Sequence, residues 1–439
     1  MTQLVIIADD LTGSNDAGLQ FAKQGFRTIT LFDADFCTMM DEADVRVFNV
    51  ETRSLGVREA YSKTEQFCKK IDLNRVRYVY KKIDSTMRGN IGAEIDALMD
   101  NVPFDLAVVA PAYPRNKRLT VGGYHLVNHL LLEDSEISRD PKCPVTESHI
   151  PTLLGTQTNR SVGHVDLRQI RKSVSELQDY IKNQVAANIQ VLVFDSCSEA
   201  DLKAVADAVS KLPLKVLWVG SAGLAHAMSG TIPQTRHGRI SRPQTVTDDH
   251  FPAFVVAGSV NDVTRRQIEA LSEQADFQLV PVDPLQLLEG SADNREKLIN
   301  DVIAVIDSGK SPVLTTQVGE KTRKSVEHWI RQNGTDGLQA GNQIADSLGE
   351  IAARISAARK LQGLALTGGD IAFRTCKHLN VQALLILDEV EEGIPLSLIV
   401  GGDADSLPVV TKAGAFGTPD SLIHAVNKIN SFRRERRIQ

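Results

Sequence analysis

Short apolar runs recur along this chain, and each leads through a polar turn into a stretch of helical period. Leu4–Ala8 runs through Asp9-Asp10-Leu11-Thr12-Gly13 into a helix expected near Ser14–Gln24. Further strands are expected over Thr28–Phe32, Val45–Val50, Val76–Tyr80, Leu106–Ala110, Ile189–Asp195 and Val216–Val219, with helices over Glu59–Ile71 and Ile91–Met99. Strands separated by helices of this length are too far apart in sequence to be joined as hairpins. They imply a parallel, doubly wound sheet with helices on both faces.

The pattern breaks between Gly230 and Phe251, which carry Pro233, Gly238 and Pro243 and little periodicity. It then resumes with strands over Ala253–Ala257, Gln278–Pro281, Pro312–Thr316, Leu364–Thr367 and Leu384–Leu387, and helices near Val263–Gln274, Arg295–Ser308 and Gln343–Lys360. A chain of 439 residues also exceeds one ordinary hydrophobic core. The expected fold is therefore α/β in two domains, 1–230 and 252–439, joined by a linker at 231–251. Each domain would have a mostly parallel sheet flanked by helices, with a ligand cleft between them.

The net charge of −6 argues against nucleic acid as the main partner, and the basic tail Arg433-Arg434-Glu435-Arg436-Arg437 reads as a solvated end. Five scattered cysteines without Cys-x-x-Cys spacing argue against a disulfide framework or a zinc site. The chain opens directly on a strand and has no long apolar segment, so a cytoplasmic protein with no membrane partner is expected. A homo-oligomer remains open.

In an open parallel sheet, ligands sit beyond the carboxyl ends of the strands. The residues there are therefore the candidates. After the first strand stand Asp9 and Asp10, which could orient or deprotonate a hydroxyl, hold a metal, or only cap the next helix. After the third stands Arg53, whose planar fork matches a carboxylate. After the fourth come Lys81-Lys82-Ile83-Asp84-Ser85-Thr86-Met87-Arg88-Gly89-Asn90, where cations, a carboxylate and hydroxyls crowd one turn. That mixture suits an anionic, hydroxylated ligand. His125, after the fifth strand, could serve as acid or base, though a structural role fits it as well.

The second half is richer in glycine, at Gly258-Ser259, Thr367-Gly368-Gly369-Asp370, Glu392-Gly393, Gly401-Gly402 and Lys412-Ala413-Gly414-Ala415-Phe416-Gly417. Glycines at strand ends let backbone N–H groups approach phosphate oxygens, so together these turns point to a nucleotide. There is no Gly-x-x-x-x-Gly-Lys-Ser/Thr, no Gly-x-Gly-x-x-Gly after a strand and no His-Glu-x-x-His. There is also no Gly-x-Ser-x-Gly.

Taken together, Ala8-Asp9-Asp10-Leu11-Thr12-Gly13, the segment Asp84 to Gly92 and the glycine-rich second half resemble the four-carbon acid sugar kinases over nearly the whole chain. The resemblance implies an ATP-dependent kinase that phosphorylates the 4-hydroxyl of a four-carbon sugar acid, with the acid on the first domain and ATP on the second. The Lys-Lys-Ile-Asp-Ser-Thr form is associated with D-threonate; D-erythronate and 3-oxo-tetronate stay open. The implied substrate positions are Asp10, Arg53, Lys81, Lys82, Ile83, Asp84 and Ser85. The implied ATP positions are Ser259, Thr367, Gly368, Gly369, Asp370 and Gly414. Within that frame Arg53 or Lys82 would grip the carboxylate, and Asp10 or Asp84 would orient or deprotonate the 4-hydroxyl. Mg²⁺ would be shared between ATP and water, with no protein metal site expected. A sugar-acid sensor that never turns its ligand over is the rival reading. It would need the first domain's turns but not the second domain's glycines.

Overall fold

The structure is a computed structural model that describes residues 2–33, 35–36, 43–140, 142–233, 251–258, 261–316 and 319–438, with side chains through Phe432. It divides into two compact units, Met1–Arg239 and Ile240–Gln439. Residues 234–250 of the expected linker, Ser259 and the side chains of the basic tail lie outside the described residues.

In the first unit, strands β1 (Leu4–Ala8), β2 (Thr28–Leu31), β3 (Val45–Asn49), β4 (Tyr78–Lys82) and β5 (Leu106–Ala110) are followed by the small strands β6 (Arg118–Val121), β7 (Tyr124–Val127) and β8 (Leu130–Leu131). The strands β9 (Val162–Val165), β10 (Val191–Phe194) and β11 (Val216–Gly220) complete the unit. The main sheet runs β2-β3-β1-β4-β11-β5-β10-β9, with every pairing parallel. Its central strands read as unbroken apolar runs because helices cover both faces; every residue of β1 and β5 is buried. Ile6, Val47, Tyr80, Val108 and Trp218 form part of one core.

The second unit holds β12 (Phe254–Ala257), β13 (Phe277–Val282), β14 (Ser311–Thr316), β15 (Leu364–Thr367), β16 (Ala383–Glu391), β17 (Ile394–Val400) and β18 (Pro408–Lys412), in the order β13-β14-β12-β15-β18-β17-β16. The strands β13 to β18 of that series pair parallel, while β17 is antiparallel to both β16 and β18. Both units thus open with one winding: the third strand inserts beside the first, and the fourth joins on the first strand's other side. The order reverses between β1 and β4 in one unit and between β12 and β15 in the other. Those reversals are where a doubly wound sheet leaves a crevice.

Several elements differ from the sequence expectation. The first helix is Leu11–Ala22, so Gly13 lies inside it rather than before it. Strand β4 runs two residues further than expected, and Lys81 and Lys82 pair with Ile7 and Ala8 and with Val219 and Gly220. They are buried strand residues, not turn residues; each ammonium finds an interior acceptor, which lets the ladder continue. Glu392-Gly393 is the tight turn of the β16–β17 hairpin, with φ +73° at Gly393, and not a phosphate turn. The β6–β8 sheet and the helix Glu320–Gln332 escape the sequence reading altogether.

Candidate active site

In the first unit the candidate residues meet at the carboxyl ends of β1, β3 and β4. Asp10 caps the first helix, accepting from Gly13 N at 2.9 Å on Oδ1, while Thr12 donates to Oδ2 at 2.8 Å. The backbone N–H groups of Thr52 and Arg53 both donate to Asp9 O, which stitches the end of β3 to the end of β1. Arg53 then reaches both carboxylates. Nε and Nη2 donate to Asp9 at 2.8 and 3.0 Å, and Nη1 and Nη2 to Asp10 at 2.7 and 2.8 Å. Arginine has five N–H donors, so four are spent on the protein and one remains. Arg53 cannot offer a substrate carboxylate a two-pronged grip without giving up an aspartate, which counts against the clamp role expected for it.

Lys81 turns inward to Glu94, with Nζ to Oε2 at 3.1 Å and each side chain 1 % exposed; Thr52 donates to the other carboxylate oxygen. Burial, opposed by Lys81, leaves the Glu94 carboxyl above its ordinary range. Lys81 Nζ also donates to Lys82 O at 3.2 Å, so two of its three donors are held inside the unit. Lys82 is different. Its Nζ donates to Ile83 O at 2.8 Å, and among the described residues no carboxylate lies at ion-pair distance. Two of its three donors are left, beside the capped Asp10 turn: a Cβ on Gly13 would overlap Asp10 Oδ1 and come within 3.0 Å of Lys82 Nζ.

Asp84 accepts from Arg88 Nε at 2.6 Å and from Nη2 at 3.3 Å, and from the Thr86 hydroxyl. Burial would raise its pKa, but Arg88 and Arg53 outweigh burial and hold it well below the usual carboxylate range. A carboxylate so satisfied is a weak base, and its geometry suits orientation. Arg88 also donates to Asp140 at 2.9 Å, and Asp140 Oδ1 accepts from the N–H groups of Lys142 and Cys143, which pins that loop against the turn. Ile83 is fully buried, while Ser85 is half-buried with a hydroxyl that has no partner among the described residues. His125 is fully buried; its Nε2 meets Ser85 O at 2.8 Å and its Nδ1 meets the Thr120 hydroxyl at 2.9 Å. Burial lowers its pKa to about 4, so the ring is neutral and holds the Ser85 carbonyl in place. The structural reading of His125 is the one its contacts support.

Burial would likewise raise Asp9, yet Arg53, Lys81 and Lys82 keep it below its ordinary range. Five carboxylates (Asp9, Asp10, Asp84, Glu94, Asp140) stand against four cations (Arg53, Lys81, Lys82, Arg88), so the cluster is close to neutral. Such a cluster offers an anion directed donors rather than a net field. Beside the cluster opens a cavity of about 240 Å³ lined by Arg53, Gly89, Asn90, Cys143, Thr146 and Gln157 among others. Glu94, Asp140 and Thr120 were not read from sequence. Glu94 alone carried a signal, as a charge set among apolar residues in Ile91-Gly92-Ala93-Glu94-Ile95.

In the second unit, Thr367 ends β15 and its buried hydroxyl has no partner among the described residues. Gly368 follows at φ +104°, a left-handed conformation that favours glycine, and caps the helix Gly369–His378 without a side chain. That helix opens at Gly369, and its N-terminus carries the positive end of the helix dipole. Gly414 lies in the loop after β18, next in the sheet to β15. Five of the six expected ATP positions therefore fall on two neighbouring strand ends. A larger groove of about 590 Å³, between β13 and the helix Ala292–Asp307, is lined by none of them.

Residues 4–228 match the family model for a sugar-binding N-terminal domain, and residues 254–422 that for a nucleotide-binding C-terminal domain. The chain is 32 % identical to a D-threonate kinase of Salmonella typhimurium, covering 98 % of this chain and 99 % of the relative. It is 28 % identical to a D-erythronate kinase of Heliobacterium modesticaldum, covering 97 % of each. It is 26 % identical to a 3-oxo-tetronate kinase of Haemophilus influenzae, covering 96 % of this chain and 98 % of the relative. A crystal structure from Salmonella typhimurium LT2, 22 % identical and covering 97 % and 99 % of the two chains, superposes with a TM-score of 0.80, which shows a shared fold. With both halves matched and the Asp9-Asp10 and Asp84–Gly92 motifs in place, the protein belongs to the four-carbon acid sugar kinase family.

Proposed function

We propose that the protein transfers the γ-phosphoryl group of ATP to the 4-hydroxyl of D-threonate in the cytoplasm, giving 4-phospho-D-threonate and ADP. The observation that carries this reading is Lys82, a buried cation with two unspent donors beside the capped Asp10. A carboxylate accepts from the ammonium, while hydroxyls of the same small molecule reach Asp10 and the Ser85 hydroxyl. Asp84 orients through the turn it braces. Phosphoryl transfer is mostly positioning and charge neutralisation. The 4-hydroxyl oxygen bonds to the γ-phosphorus, the β–γ bridging bond breaks toward ADP, and the hydroxyl proton passes to water, because Asp10, which accepts from Gly13, Thr12 and twice from Arg53, is as fully satisfied as Asp84. In the second unit the Thr367 hydroxyl, the amides at Gly369 and Asp370, and the Gly414 loop serve the triphosphate. Mg²⁺ belongs to the proposal as the usual companion of a transferring triphosphate, held by phosphate oxygens and water. The D-threonate kinases among the relatives support the choice of acid.

Titration calorimetry with Lys82→Met tests the site. A charge-assisted hydrogen bond is worth ~1.5–3 kcal/mol, so the Kd for D-threonate should rise about 10- to 150-fold. Unchanged affinity in a folded variant removes Lys82 from the site and the argument with it.

A further inference from the structure

The loop at residues 413–418 is held from behind by its own carbonyl oxygens. Lys412, at the end of β18, is 2 % exposed, and its Nζ donates to Ala413 O at 2.9 Å, to Gly414 O at 3.2 Å and to Phe416 O at 3.1 Å. An ammonium has three N–H groups, so all are spent on this loop and none is left for a phosphate. Two fully buried side chains of the helix Asp262–Ser272 reach the same loop. The Thr264 hydroxyl donates to Gly414 O at 2.9 Å, and Gln267 Nε2 donates to Phe416 O at 3.0 Å and to Thr418 O at 2.8 Å. Four carbonyls are thereby turned toward buried donors. Among the described residues the N–H groups of Gly414, Ala415 and Gly417 meet no acceptor. Gly368 N donates to Lys412 O at 2.8 Å, which sets the loop beside the Thr367–Asp370 turn. Closely spaced amides freed in this way make a concavity for anions.

We propose that Lys412, Thr264 and Gln267 are positioning residues that turn the 413–418 loop into a nest for nucleotide phosphates, its amides facing the ligand and its carbonyls locked behind. The inference rests on the reading that this unit binds ATP at Thr367–Asp370 and Gly414. It goes beyond that reading by assigning work to three side chains that never touch the nucleotide. A lysine ending a strand before a glycine loop invites the role of phosphate ligand, but here its donor count leaves it no bond to give.

The test compares ATP with adenosine, which has no phosphates, by titration calorimetry on the wild type and on Thr264→Val, Gln267→Leu and Lys412→Met. The expected result is at least a tenfold loss of ATP affinity in each variant, with adenosine and D-threonate affinities within twofold of wild type. Thr264→Val keeps volume and removes only the hydroxyl, so it decides the matter if Lys412→Met does not fold. Variants that bind ATP as the wild type does, or that lose adenosine in the same proportion, overturn the nest while leaving the nucleotide reading standing. A wild type that binds adenosine and ATP equally overturns the nest without any variant. One that binds neither overturns the nucleotide reading as well.

Discussion

The buried Lys81–Glu94 pair makes a quantitative prediction about the first unit. At 3.1 Å the two charges attract by about 5 kcal/mol if the effective dielectric constant is ~20. Desolvation of both ions offsets much of that when the pair is intact, but removing one partner strands the other. Lys81→Met should therefore destabilise the unit by ~3–5 kcal/mol near pH 8. The cost should depend on pH with a definite sign. Burial already raises the Glu94 pKa, and losing the lysine raises it further. A carboxyl whose folded pKa is raised stabilises the fold below its unfolded value and loses that contribution as pH rises through the folded value. The variant should thus recover toward wild type near pH 4–5 and weaken above, by ~1.4 kcal/mol for each unit of pKa displacement. The double variant Lys81→Met, Glu94→Leu should regain most of the loss, because an apolar pair of similar volume replaces the ions. Trp218 lies buried in β11 of this unit, and the only other tryptophan is Trp329. Urea unfolding followed by Trp218 fluorescence in a Trp329→Phe background therefore reports on the first unit. A loss below about 1 kcal/mol at pH 8, or a double variant as unstable as the single one, refutes the reasoning.

Other expectations follow from the same geometry. The His125 pKa, lowered to about 4 by burial, makes its contribution complete above pH 6.5 and progressively lost as pH falls toward 4, by ~3 kcal/mol in all. In His125→Gln that acid limb should be absent from a plot of unfolding free energy against pH; parallel profiles contradict the neutral buried ring. Asp84 stays ionised above pH 4, so kcat should show no limb from it there, and Asp84→Asn should lower kcat steeply while D-threonate still binds. Gly13→Ala places a methyl group against Asp10 and Lys82, and should cost ~1–3 kcal/mol of stability and raise KM for the acid more than KM for ATP.

Much of this architecture is legible in the sequence, because fully buried parallel strands must be apolar along their whole length. Leu4–Ala8 and Leu106–Ala110 could hardly be anything else. Two-sided burial also explains the failure at β4, where Lys81 and Lys82 look like the start of a turn. Only Glu94, thirteen residues downstream of Lys81, and the Ile83 carbonyl make them tolerable in a strand. Arg53 shows the same limit: its identity is visible, but its engagement with Asp9 and Asp10 depends on β3 lying beside β1. The glycines after β15 and β18 were readable as turns, while the hairpin glycine at Gly393 looks the same in sequence and differs only because β17 folds back. Lys412 stands in a glycine motif in the sequence, yet its three carbonyl partners span four residues of loop, 413–416, whose path no spacing rule predicts.

The most direct test of the central claim is a coupled ADP-release assay with ATP and each tetronic acid, with the product identified by phosphorus NMR. The account predicts the highest kcat/KM with D-threonate, phosphorylation at the 4-position, and loss of that turnover in Lys82→Met. Turnover of D-erythronate or 3-oxo-tetronate in preference to D-threonate would contradict the choice of acid. No ADP release with any of them, in a protein that still binds the acid, would contradict the kinase itself.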